Sequence, residues 1–131
     1  MKLLNDKARL ETISHIRATK NKIGVRSGKC RFNYRCQYNA VHEAINKKQK
    51  RIAMCVYFDE DYPVIHFVNV NKKGKFTDNT LGNWAQQYEY FLIKYIDDVD
   101  YFNIDNVFIK YRKELKKQLS FFTSLFSDVE F

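Results

Sequence analysis

The sequence predicts an α+β domain, on three observations. Apolar residues recur at helical spacing towards both ends of the chain. Between them lie three short segments rich in β-branched and aromatic residues, the last two separated by a glycine-containing turn. With 131 residues, 45% of them apolar, and only one proline and four glycines, the chain can build one real core and has no room for a Pro/Gly-rich linker. The expectation is a single domain over residues 1–131. It consists of an antiparallel sheet of at least three strands, packed with a helix that begins near Cys36 and with two C-terminal helices.

Each element follows from local pattern. Leu10, Ile13 and Ile16 share one helical face behind Asn5 or Asp6 as caps, and Gly24 punctuates the end. Residues 20–34 show no period and read as a basic loop. From about residue 35 to 48, Ala40, Val41, Ala44 and Ile45 form a second helical stripe. Cys36 falls on that stripe at four-residue spacing, and Asn33 is placed as a cap, which puts Cys36 in the first turn. Residues 51–58 are apolar on both faces, as a central strand is. Residues 63–70 carry Val64, His66, Val68 and Val70 on one face, and residues 75–80 carry Phe76 and Asp78 on one. A loop of Asn71, Lys72 and Lys73 with Gly74 at a bulge pairs Val68 with Phe76 and His66 with Asp78. A slip by one sets Phe67 against Asp78, mixing apolar with polar. A helix is expected from Asn83, with Gln86 as capping-box partner and Trp84, Tyr88, Phe91, Leu92, Tyr95 and Ile96 on its apolar face. The last is expected from Asp105, with Phe108, Tyr111, Leu115, Leu119, Phe122 and Phe126 on one side and Lys110, Lys113, Lys116 and Lys117 opposite.

Three residues converge on one chemistry. Cys36 at a helix start, beside Arg35, sits where a thiol loses its proton most easily. His66 on the following sheet can take and return that proton, and Asp78 beside it can fix the imidazole tautomer. Structural readings compete with these: a small core cysteine on an apolar stripe, a core histidine among valines, a turn aspartate before Asn79. Asn39, one turn after Cys36, is a candidate orienting residue. Cys30 and Cys55 read as inert, and His42 points to another side of its helix. No CxxC, HxxxH, P-loop or GxGxxG occurs, so the residues name no metal and no cofactor.

The order Cys at a helix start, His on a strand and Asp on the next strand resembles the transglutaminase-like branch of the papain-like superfamily. CQYNAVHEA (36–44) looks like the nucleophile helix, PVIHFVNV (63–70) like the histidine strand and GKFTDNTLG (74–82) like the acid strand. The chain is also similar to a small family of large tailed-phage proteins. The resemblance covers residues 28–82 and implies a papain/transglutaminase-like fold with a cysteine-dependent hydrolase or acyltransferase activity. It departs at Gln37, where the residue after the nucleophile is often aromatic.

Charge offers an alternative. Residues 17–51 hold eleven Lys/Arg and one acid, Glu43, whereas the rest of the chain carries twelve bases and fourteen acids. Such asymmetry suits an anionic partner or a solvated face. Arg26, Lys29, Arg31 and Arg35 are the candidate contacts. The alternative function is thus a catalytically inactive phage early protein that docks a host protein or nucleic acid through this segment. Nucleic acid is the less favoured partner, because the aromatics lie on helical stripes and do not interleave with the basic run. The N-terminus lacks the apolar core of a secretory signal, and no stretch approaches the roughly 20 apolar residues of a membrane span. Three cysteines without metal spacing read as reduced thiols. Both point to the cytoplasm, that of the host if the chain is viral.

Overall fold

The computed structural model describes residues 2–31, 35–47 and 51–119. In chain order the elements are α1 (Lys2–Thr19), β1 (Asn21–Ile23), β2 (Val25–Ser27), α2 (Cys36–Asn46), β3 (Arg51–Asp59), β4 (Tyr62–Val70), β5 (Phe76–Asp78), β6 (Tyr90–Ile96) and α3 (Ile104–Lys117). Single 3-10 helices at Gly82–Gln87 and Asp98–Asn103 flank β6. The class is α+β, as expected. The sheet has six strands in the order β1-β6-β3-β4-β5-β2 and is mixed, because β2 runs parallel to β5 while every other pair is antiparallel.

That order forces curvature. Flat, a six-stranded sheet would hold its edges roughly 24 Å apart, five spacings of about 4.8 Å. Yet the edge strands β1 and β2 are separated by Gly24 alone, and two residues of chain reach at most about 7 Å. The segment 21–27 is in effect one closing strand. Its first half pairs with β6 and its second with β5, so the sheet curls nearly into a barrel. Ala53, Cys55, Tyr57, Val68, Val70, Phe76 and Tyr90 form one buried cluster on the concave side. The alternate strand residues Ile52, Met54, Val56, Ile65 and Phe67 meet the helices outside, through Ile16 of α1, Ala40 and Ala44 of α2, and Tyr111 and Leu115 of α3.

Four expectations are corrected. Residues 20–34 contain the closing strand; three-residue strands are too short to show a period. Residues 90–96 form a strand, not a helix: β6 inserts between β1 and β3, and its ladder overrides the helical spacing of the same residues. One α-helix rather than two therefore follows the sheet, and Phe122 and Phe126 lie outside the described residues, as does Asn33. Leu10 and Ile45, placed on apolar stripes, are exposed.

The fourth correction is the β4–β5 register, which pairs Asn69 with Thr77 and Val70 with Phe76, displaced by two residues. Asn71 causes it. Its Oδ1 accepts the N–H groups of Lys73 and Lys75, both at 2.9 Å, and its own N–H reaches the Lys75 carbonyl at 3.0 Å. The loop is therefore Lys72-Lys73-Gly74, with Gly74 at φ 77°. A shift of two keeps every side chain on its face. His66 and Asp78 become diagonal instead of direct neighbours, within reach of an imidazole.

Candidate active site

Cys36 is the first residue of α2, preceded by Arg35 without a side-chain cap. The first helical hydrogen bond is Asn39 N–H to the Arg35 carbonyl, at 2.9 Å. Cys36 thus lies in the first turn of a helix that packs against β4. Ladder pairing between β4 and β5 stops at Asn69. Beyond it the Cys36 sulfur is hydrogen-bonded to the His66 side chain and receives the Phe67 backbone N–H. His66 Nε2 bonds Asp78 Oδ2, which leaves Nδ1 as the nitrogen for the sulfur. Asp78 Oδ1 accepts the N–H groups of Thr80 at 2.8 Å and Leu81 at 2.7 Å. Thiol, imidazole and carboxylate therefore form one hydrogen-bonded chain across three elements.

The electrostatics of this chain favour charge separation. Burial opposes the Cys36 thiolate, but the His66 charge, its hydrogen bond and the Phe67 N–H prevail and lower the thiol from its ordinary 9.0. Burial likewise opposes the imidazolium. The Cys36 charge and the hydrogen bonds to Asp78 and Cys36 overcome it and push His66 from 6.5 up to about 10. Asp78 is fully buried. Burial raises its carboxyl, but the bond to His66, the imidazolium charge and the two backbone N–H groups bring it below 3.8. Cys55, directly across the ladder from His66, behaves oppositely: burial pushes its thiol well above 9.0. Two free thiols within one site are thus held in different states.

A pocket of about 300 Å³ opens on this chain, with Cys36 and His66 in its wall. Tyr57, also in the wall, packs edge-on against the His66 ring at 5.2 Å and stacks on Tyr88 at 4.4 Å. These rings keep water from one side of the imidazole. Sequence reasoning missed Tyr57, although a two-residue turn at Glu60-Asp61 would have found it: that turn pairs Cys55 with His66 and sets Tyr57 two residues along on the same face.

Asn39 is buried and reaches the acid side of the site, donating from Nδ2 to Thr80 Oγ1 at 3.0 Å. A second buried link runs from Asn79 to Asn69 Oδ1 and from Asn69 Nδ2 to the Ala40 carbonyl, both at 2.9 Å. The acid loop is thereby tied to α2. Of the basic candidates, Lys29 bonds the buried Glu43 carboxylate at 2.9 Å, which Lys47 also meets at 3.0 Å. Arg31 sends its backbone N–H to the Thr80 carbonyl at 2.8 Å, and the Nε of its half-buried side chain has no hydrogen-bond partner among the described residues. Arg26, on β2, and Arg35 are exposed. Elsewhere in the basic segment Arg17 and Lys22 pair with Glu89, and Arg51 lies over the Tyr95 ring. Within the run, Lys29 and Lys47 thus pair with Glu43, and Arg17 and Lys22 with Glu89. His42 is exposed beside Asn46. Among the described residues no helix is long and apolar enough to cross a membrane.

No family model, no curated protein and no solved structure matches this chain.

Proposed function

We propose that this protein is a cysteine-dependent acyl-transfer enzyme, a hydrolase or acyltransferase built on a papain/transglutaminase-like plan. The reading is carried by one observation: the hydrogen-bonded chain from the Cys36 sulfur through His66 to Asp78, set in the wall of a pocket. The Cys36 thiolate attacks a carbonyl carbon, forming a C–S bond. The carbonyl oxygen takes the displaced electron pair, and the first-turn N–H groups of α2, free of partners within the helix, supply donors for it. As the tetrahedral species collapses, the bond to the leaving group breaks and His66 delivers its proton to that group. Water or an amine then attacks the thioester, gives its proton to His66 and releases the thiolate. Asp78 stays ionised throughout and holds the imidazole by Nε2.

Intact-mass measurement with a small activated ester tests the reading. An acyl adduct on Cys36 should form and decay in wild type, be absent in Cys36→Ala, and form about 100-fold or more slowly in His66→Ala, the range for a positioned acid–base group. Equal acylation of Cys30 and Cys36, or a His66→Ala rate matching wild type, would sink it.

A further inference from the structure

Beside the Cys36 sulfur, 3.6 Å away, lies the side-chain oxygen of Gln37. The orientation of that amide is not arbitrary. Its Nε2 donates to Asp105 Oδ1 of α3 at 3.2 Å, and the other oxygen of the same carboxylate takes the Tyr38 hydroxyl. An ionised carboxylate only accepts hydrogen bonds, so the N–H end must face Asp105 and the carbonyl end must face the sulfur. The half-buried Gln37 therefore presents an acceptor, not a donor, to the pocket. With a thiol at Cys36 that oxygen has a proton to accept; with a thiolate it faces only lone pairs. The remaining wall includes Tyr57, Val64, Leu81 and Phe108, and no Lys or Arg among the described residues lines it.

We infer that Gln37 is a specificity-determining residue and Asp105 its positioning residue. Together they hold a hydrogen-bond acceptor beside the nucleophile that selects uncharged substrates carrying an N–H next to the electrophilic carbon, over isosteres lacking it. The inference rests on the reading of Cys36 as the reactive group. It deepens that reading by assigning the discrimination between amide and ester to a contact between α2 and α3.

The test uses the full chain and two alkylating probes of similar size, iodoacetamide and methyl iodoacetate. In each the sulfur displaces iodide at carbon; only the first offers an N–H. Rates are read at Cys36 relative to the exposed Cys30 in the same molecule, by peptide mass spectrometry. Wild type should favour the amide at Cys36 by about fivefold over the preference at Cys30, the gain of one neutral hydrogen bond. Gln37→Leu should bring the ratio to about one, and Gln37→Met repeats the test with a side chain of similar length. Asp105→Ala should reduce the preference in wild type and do nothing in the Gln37→Leu background. The exchanged pair Gln37→Glu with Asp105→Asn should restore it, because the acceptor is again held from α3. A wild-type ratio of one, a preference surviving both Gln37 variants, or an Asp105→Ala effect independent of Gln37 overturns the inference. Failure of the catalytic reading appears separately, as Cys36 labelling that does not depend on His66.

Discussion

Cys36 and His66 together hold one proton over a wide span of pH, and the sign of its effect on stability can be worked out. The unfolded chain carries both protons below 6.5, one between 6.5 and 9.0, and neither above. The folded pair carries one from the lowered thiol value up to about 10. Taken singly, the raised imidazole stabilises fully below 6.5 and loses that as pH rises through about 10. The lowered thiol stabilises fully above 9.0 and loses that as pH falls through its folded value. The two slopes oppose each other below 9.0 wherever the pH exceeds both 6.5 and the folded thiol value; between 9.0 and about 10 the imidazole slope stands alone and the pair's contribution declines. Asp78 adds stability that is present above 3.8 and lost as pH falls through its depressed value. Urea midpoints followed across pH should show the decline between 9.0 and about 10 in wild type. In Cys36→Ala the alkaline decline should move to lower pH, because Asp78 alone then favours the imidazolium. A second residue-scale prediction concerns Glu43, which is 2% exposed. Removing the two lysines that meet it in Lys29→Ala/Lys47→Ala should cost about 2–3 kcal/mol in denaturant unfolding, because a buried carboxylate loses two charge partners. Lys29 is therefore unsuited to testing an anionic partner; Arg26→Gln, exposed on β2, is the cleaner probe. Cys36, His66 and Asp78 were legible in the sequence because helix start and strand alternation are local signals. Gln37 and Asp105 were not, since 68 positions separate them and only the packing of α3 beside α2 joins them.

At the level of elements, one strained turn and one close backbone approach can be tested. Glu60 and Asp61 join β3 to β4 with φ of 48° and 68°, the left-handed region that favours glycine. Asp61→Gly should raise stability by about 1 kcal/mol, read as a higher melting temperature. A lower one would mean that the aspartate side chain contributes more than its backbone costs. Gly28 is the opposite case. A Cβ there would lie 2.6 Å from the Asp78 carbonyl oxygen and 2.5 Å from Asn79 Oδ1. Gly28→Ala should cost about 1–3 kcal/mol and, by displacing the loop that presents Asp78, slow Cys36 alkylation more than Cys30 alkylation. The β3–β4 hairpin and α2 were readable because each is long enough to show its period. Residues 90–96 satisfied a helical and a strand pattern equally, and only the vacancy beside β3 decides between them.

For the whole molecule, closure through Gly24 was beyond the sequence. The closing strand has three residues on either side of one glycine, and both its partners, β5 and β6, lie far along the chain from it. The same closure sets Gly28 to Arg31 along the acid loop, with Gly28 N–H to the Asp78 carbonyl and Arg31 N–H to that of Thr80, both 2.8 Å. The basic segment thus acts structurally on the site, whatever partner it meets outside. Gly24 itself has space for a side chain and no left-handed φ. Gly24→Ala should be tolerated within about 0.5 kcal/mol. Inserting a flexible linker at the same point should destabilise the chain and slow Cys36 alkylation, since β2 is then free to leave β5. Thermal melts and labelling rates on the two variants separate length from composition.

Curling also governs how this chain treats its own kind. A sheet with long open edges is a template on which a second chain can add strands, and natural sheets blunt such edges or abolish them. Here the nine-residue strand β3 is interior between β4 and β6, and β5 adds to β4 only at Asn69 and Val70. The outermost strands of the order, β1 and β2, have three residues each and are joined end to end. The apolar run at 52–58, with the composition of a fibril-forming segment, is paired by β4 on one side and, over residues 52–57, by β6 on the other. Residues 21–27 cover the outer sides of β6 and β5, so their seating limits where a second chain can add a strand. Losing that one strand from either neighbour would turn a self-limiting sheet into one that can grow.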